Sequence, residues 1–213
     1  MSRATQPLDE SRPLPFRPGE SPFRVKGVAY RGHLEYVSEH VPGGVDEMLR
    51  GFRDPALPGF FAQKFLPSTY YDIIPLIVAG YVCARQSRKS FSEFVRIRSR
   101  YQAERDVGGI YRVLLKLISP MHVIERLSAL QEQYFDFAAG SVELVGERHA
   151  LLQRPQLPAM LAGWTATVLE TYVDVLLTRA GAKSVLARPR SLLPDGQVRG
   201  VAAVKWQCDI TWQ

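Results

Sequence analysis

Hydrophobic residues recur at helical spacing through the first part of the chain and at strand spacing towards its end. Tyr30, Leu34 and Val37 predict a first helix over 23–40, which Pro42-Gly43-Gly44 breaks. Val45, Met48, Leu49 and Phe52 mark a short second helix, and 54–58, with two prolines, reads as a loop. Phe60, Phe61, Phe65 and Leu66 follow with no clean period. Pro75 complicates the next helix, because proline inside a helix removes a backbone bond. Either Asp72 is the N-cap and Pro75 falls in the first turn, or the helix starts near Ser68 and bends at Pro75. The second placement is preferred, since Tyr70 and Tyr71 look packed. Ser90-Phe91-Ser92-Glu93 is a capping box that opens a helix to about Arg105, with Phe91, Phe94 and Tyr101 on one face. Gly108-Gly109 ends it, 110–118 predicts a buried helix, and Ser119-Pro120 starts another.

Beyond these helices the period shortens to two. Segments 141–145 and 148–153 flank Gly146-Glu147 and predict a hairpin. Pro158 opens a long helix with Leu161, Trp164, Val168, Tyr172, Val175 and Leu176 along one face, ended by Ala180-Gly181. A short strand over 184–188 and a Pro194-Asp195-Gly196 turn lead to a last strand over 204–212. There Val204, Trp206, Cys208, Ile210 and Trp212 alternate with Lys205, Gln207, Asp209 and Thr211. The fold class is therefore α+β: a helical N-terminal region, 23–137, then a ββαββ unit, 138–213. The unit's four-stranded antiparallel sheet packs on the long helix. Together they form one domain behind a polar, Pro-rich lead-in, 1–22, that reads as disordered.

Composition narrows the setting. A chain of 213 residues, 46% hydrophobic, is long enough to bury a core without staples. Cys83 and Cys208 lie too far apart to suggest a disulfide framework, and reduced thiols point to the cytoplasm. No apolar run approaches the roughly 20 residues of a membrane-spanning helix. The longest, 73–84, is interrupted by Pro75 and Gly80, and the N-terminus lacks the apolar region of a signal peptide. The net charge of +6 is uneven: between Arg85 and Arg105 seven basic residues stand against Glu93 and Glu104. Such an excess suits an acidic partner, a phosphate backbone or an anionic surface.

Helices followed by ββαββ resemble the vinyl-reductase-type small-molecule-binding domains, the haem-nitric-oxide-binding (H-NOX) sensors and the TRAPP vesicle-tethering subunits. Several segments also resemble a myxobacterial paralogous family with no assigned function. They are Val25-Lys26-Gly27-Val28, the run from Phe65 to Asp72, Gln102-Ala103-Glu104-Arg105-Asp106 with Gly108-Gly109-Ile110-Tyr111-Arg112, and Gln133-Tyr134-Phe135-Asp136-Phe137. The resemblance implies a regulatory, ligand-binding or dimeric domain. Only Cys208 could match the vinyl-reductase cysteines, too few for zinc. The Tyr-x-Ser-x-Arg motif of H-NOX domains is absent, so the resemblance implies neither haem nor another cofactor.

Candidate chemistry is sparse. His33 and His40 read as surface or capping residues, His122 as a solvated first-turn residue and the one haem-ligand candidate by position, and His149 as exposed. No nucleophile elbow or phosphate loop is present. Cys83 and Cys208 lie on apolar faces that disfavour a thiolate. Glu104-Arg105-Asp106 with Arg112 reads as an anion anchor or as an ion-pair network fastening two helices. Trp164 and Tyr172 should face Trp206 and Trp212, forming either a filled core or a gap for an apolar ligand. Arg96, Arg100 and Arg105 are candidate anion or partner contacts, or simply a solvated basic face. These readings favour a non-enzymatic regulatory or sensor domain that binds a small apolar ligand or a partner protein. A homodimeric adaptor is the alternative, and nucleic-acid or anionic-surface binding through 85–105 a further one.

Overall fold

The computed structural model describes residue 8, residues 13–106 and residues 119–213, with only the backbone of 128–131. The helix expected over 110–118 and the Gly108-Gly109 stop lie outside the described residues. Strand β1 (Arg24–Lys26) pairs antiparallel with β2 (Tyr70–Asp72), and helix α1 (Gly27–His40) springs directly from β1. The first helix thus begins four residues later than its apolar spacing predicts, because Val25 is buried as a strand residue. Gly27 is required at this join: a Cβ there would sit 2.2 Å from the carbonyl oxygen of Leu66.

Helices α2 (Gly44–Arg50) and α3 (Ala56–Phe61) follow. The expected loop at 54–58 is mostly helix, since Pro55 caps α3 and Pro58 falls in its first turn, where a missing N–H costs nothing. Helix α4 (Ile74–Gln86) starts after β2, so the preferred start near Ser68 gives way to the alternative with Pro75 in the first turn. The Asp72 carboxylate accepts the Ile74 N–H at 2.9 Å. Helix α5 (Phe91–Asp106) begins where the capping box placed it, with Ser90 Oγ accepting the Glu93 N–H. Helix α6 (Pro120–Glu132) starts behind Ser119, whose hydroxyl accepts the His122 N–H.

The second half forms the four-stranded antiparallel sheet, order β3-β4-β6-β5. Its strands are β3 (Ser141–Gly146), β4 (His149–Pro158), β5 (Leu186–Val198) and β6 (Val201–Thr211), with helix α7 (Ala162–Arg179) between β4 and β5. Two details depart from the sequence reading. Pro194-Asp195-Gly196 is not the turn; it is an irregularity inside one long strand, where Asp195 accepts the Gln156 N–H from β4. Proline is tolerated there because β5 is a sheet edge. The turn is Arg199-Gly200, both at positive φ, as a two-residue hairpin of right-handed twist requires. On β6, Trp206, Cys208 and Ile210 are buried as expected, as is Trp212 just past its end, but Val204 is only half-buried, because the register shifts beside it.

Several of the described residues of the lead-in are held against the fold. Leu14 and Phe16 pack on the core, and Gly19 and Ser21 donate backbone N–H groups to Asp72. Residues 159–179, the turn before α7 together with α7, are long and apolar enough by composition to cross a membrane, which the sequence reading overlooked. In the fold this stretch is mostly buried, packed along α5 and beside the sheet, as a core helix is.

Candidate functional site

A cavity of about 50 Å³ lies where α1, α5, α6 and α7 converge on the segment that follows α6. Val25, Ala29, Leu127, Phe135, Trp164 and Val168 contribute to its apolar wall, and Arg98, Tyr134 and Tyr172 supply polar groups. Each of these residues is buried or half-buried.

The polar side is organised around Asp106, the last residue of α5. Its carboxylate accepts the hydroxyls of Tyr134 (2.7 Å) and Tyr172 (3.0 Å) and the side-chain amide of Gln102 (2.7 Å). Two turns earlier on α5, Arg98 donates Nη2 to the Ala29 carbonyl and, at 3.4 Å, to Gln102 Oε1. The guanidinium is buried, and among the described residues its Nε–H has no hydrogen-bond partner. Burial pulls Arg98 below its ordinary value, partly countered by the oxygens of Tyr172, Asp106 and Tyr134. Burial, with Asp106 beside it, likewise holds the Tyr172 hydroxyl well above its ordinary value, so it stays a donor. Gly32 of α1 makes room for this chain of bonds: a Cβ there would overlap Gln102 Oε1.

Residues 134–138 form one wall and are fixed on every side. Lys26 N–H donates to the Tyr134 carbonyl, and Arg24 and Asp136 exchange bonds across a Val25–Phe135 bridge. From the sheet, the fully buried Arg154 donates to the carbonyls of Ala138 (2.7 Å) and Phe137 (3.3 Å). Burial lowers it to about 10. From the β5–β6 turn, Arg199 reaches the carbonyls of Asp136 and Pro22 and, at 2.9 Å, the Asp136 carboxylate.

The aromatic residues expected to share one chamber do not. Trp164 meets Phe135 edge-on at 6.1 Å and Tyr172 meets Tyr134 at 6.2 Å, both at the cavity. Trp206 instead borders an open cleft with Ala162, Gly163 and Pro189, and Trp212 is buried just past the end of β6. The reason is that α7 has two apolar faces, one on α5 and one on the sheet, and helical spacing alone does not say which partner each face meets.

Arg100 pairs with Asp174, and Arg105 pairs with Glu35 (2.7 Å) and donates to the Tyr101 hydroxyl, while Arg96 is exposed near Glu170. His33, read as a surface or capping residue, is buried, and its Nε2 has no hydrogen-bond partner among the described residues. His122 hydrogen-bonds Ser119 from an exposed position, His149 pairs with Asp209 at 2.8 Å, and His40 is exposed beside Glu39. Both cysteines are free and buried, and burial pushes each thiol up to about 12. Among the described residues no group of three His, Cys, Asp or Glu is placed to hold a metal ion. Of the Glu104-Arg105-Asp106 cluster, Asp106 joins the cavity network and Arg105 fastens α5 to α1; Arg112 lies outside the described residues. Sequence reading missed Arg98, Arg154 and His33 as buried groups. The one available signal was that Arg98 and Gln102 recur at helical spacing with Asp106.

No protein-family model matches the chain, and no curated protein matches it in sequence. Solved structures do match in fold. An oxygen-binding H-NOX domain related to soluble guanylate cyclases superposes with a TM-score of 0.62 at 8% identity, over 88% of this chain and 95% of that one. A Cs H-NOX mutant carrying 4-cyano-L-phenylalanine gives 0.64 at 8%, over 88% and 96%. An H-NOX protein from S. oneidensis gives 0.56 at 11%, over 88% and 96%. The likeness spans nearly the whole chain, and at these identities it is a likeness of fold: the α+β architecture is H-NOX-like.

Proposed function

We propose that this domain is a non-enzymatic sensor or regulatory module that binds a small, largely apolar molecule in the cavity between α5, α7 and residues 134–135. The observation that carries the reading is the cavity itself: a void walled by Val25, Leu127, Phe135, Trp164 and Val168 at the meeting point of four helices and the clamped segment. Keeping such a void open costs about 1 kcal/mol at roughly 24 cal/mol per Å³. A ligand that fills it stabilises the arrangement of α5 against α7 by differential binding. An H-NOX structure solved to probe the function of haem distortion shares the fold, but haem does not fit the residues here. A cavity of about 50 Å³ is far below the roughly 300–1,000 Å³ of a drug-sized site, and a tetrapyrrole needs at least that. Among the described residues no histidine, cysteine or methionine lines it, and the hydroxyls of Tyr134 and Tyr172 are held by Asp106.

The test is Trp164 fluorescence in a chain carrying Trp206→Phe and Trp212→Phe, titrated with small apolar metabolites. Saturable quenching with a rise in thermal stability is expected. Silence across the series, together with no xenon uptake, would sink the reading.

A protein partner, including a second copy of the chain, is the second reading, supported by Leu192 and Leu193, each more than half exposed on edge strand β5. Light scattering on the purified chain checks it, and a strict monomer removes the homodimer. The basic segment favours nucleic acid less, because Arg98 is buried and Arg100 and Arg105 have acidic partners. Two buried free thiols suit a reducing compartment, and we place the protein in the cytoplasm on that basis.

A further inference from the structure

Among the described residues the four-stranded sheet ends in two unpaired edges, β3 on one side and β5 on the other. An open edge presents backbone N–H and C=O groups that another strand can take. The two edges differ in charge. β3 carries Glu143, with Glu147 in the turn beyond it, and no basic residue; β5 carries Arg188 and Arg190 and no acid before Asp195. These four charged side chains are exposed, as are Leu144 (43%), Val145 (51%) and Leu186 (40%).

Register matches the edges to one another. Glu143 pairs with Leu151, Leu151 with Asp209, and Asp209 with Arg188, so Glu143 and Arg188 stand at the two ends of one transverse row. The neighbouring row, on the opposite face, runs from Leu144 through Ala150 and Ile210 to Ala187. Each strand is antiparallel to the next, so a second copy displaced along these rows brings its β3 antiparallel to β5. The partner's Glu143 then lies beside Arg188 and the partner's Leu144 beside Ala187. The partner's Val145, at the irregularity of β3, comes near Leu186. Charge meets opposite charge and apolar meets apolar, the pairs that stabilise a sheet. Pro189 and Pro194, which cannot donate to an added strand, come only after this stretch. The two-fold alternatives are poorer. β3 against β3 brings acids together, and β5 against β5 joins two proline-interrupted, arginine-bearing edges.

Resting on the second-copy reading above, we propose that copies of this chain join head to tail, the β3 edge of one seated on residues 186–188 of the next. Such an interface is heterologous, so it leaves an open edge at each end and grows into chains instead of closing as a dimer. The contact is short, which makes it weak and dependent on concentration.

A charge swap followed by light scattering tests this on the full-length chain. The mean mass of the wild type should rise with concentration past that of two chains, and added salt should lower it, because the contact between Glu143 and Arg188 is screened. Glu143→Arg sets two arginines side by side across the contact, and Arg188→Glu sets two glutamates there. Each variant alone should associate about 10-fold less tightly than the wild type. Mixed in equal amounts, the two should recover wild-type association, since each supplies the charge the other lacks, and the double variant should recover it in one chain. Both positions are exposed, so melting temperatures close to the wild type should separate lost association from lost fold. Should either variant melt early, the growth of the wild-type mass past two chains and its fall with salt decide alone. Assembly that survives in the single variants, or that mixing does not restore, overturns the proposal. A closed dimer whose mass neither variant changes overturns it as well and leaves the second-copy reading standing. A strict monomer at every concentration removes both.

Discussion

His33 rests edge-on against Phe94 at 6.2 Å, buried, with Arg98 as the charge that acts on it. Desolvation, helped by Arg98, drives its ring down from 6.5 to about 3. The sign follows from which state holds the proton. Between those two values the unfolded chain is protonated and the folded chain is not, so folding is favoured above 6.5 and loses stability as pH falls towards 3. From about pH 7.5 to about pH 5 this one residue should remove about 2 kcal/mol. Urea midpoints at the two pH values should differ less in His33→Phe than in the wild type, and an unchanged difference would show that other groups carry the acid sensitivity. Arg154 is a second buried cation, and its role is to satisfy two carbonyls. Arg154→Met leaves Ala138 and Phe137 without that donor and should cost about 2–4 kcal/mol, read from the same urea curves. Arg154→Lys, with one amine in place of a planar fork, should restore only part of it.

Elements expose a different kind of dependence. Glycine to alanine inside a helix ordinarily stabilises by up to about 1 kcal/mol. Gly163, near the start of α7, should follow that rule, since a Cβ added there would meet nothing within 4 Å. Gly32 in α1 should reverse it, because the methyl displaces Gln102 and with it the bonds to Arg98 and Asp106. Calorimetry of the two variants should therefore give melting shifts of opposite sign. Much at this scale was legible. The capping box at Ser90, the Ser119-Pro120 start, the β3–β4 hairpin and the alternation on β6 were all readable, because each depends on residues close in sequence. What stayed hidden depends on distant partners. β1 is three residues of ordinary composition that become a strand only because 70–72 lie beside them. Pro194-Asp195-Gly196 carries every mark of a turn, yet β6 pairs across it and Asp195 is held by β4. The site split along the same line. Trp164 and Tyr172 were visible as a helical face, whereas Arg98 read as one more charge in a basic run until α1 and α7 enclosed it.

At the scale of the whole molecule, a void persists among the buried residues where α1, α5, α6 and α7 meet. Val168→Ile places one more carbon in it and should raise stability by up to about 1 kcal/mol while abolishing xenon uptake. A loss of stability instead would mean that the wall has no room to give, and that the cavity is shaped by rigid neighbours. Residues 134–138 join the four-stranded sheet to the helical half beside this void, held by Lys26 and Arg24 on one side and by Arg154 and Arg199 on the other. The joint at Arg199 has a consequence for how the chain is made. That one side chain bonds Pro22, 177 positions earlier, and Asp136, 63 positions earlier, and lies over the ring of Phe23 at 5.6 Å. Ribosomes deliver Phe23 and Asp136 long before Arg199, and contacts so far apart close late. Until the final hairpin emerges, a nascent chain therefore lacks the guanidinium that lies over the Phe23 ring, and the β5–β6 turn is the last piece to close this joint.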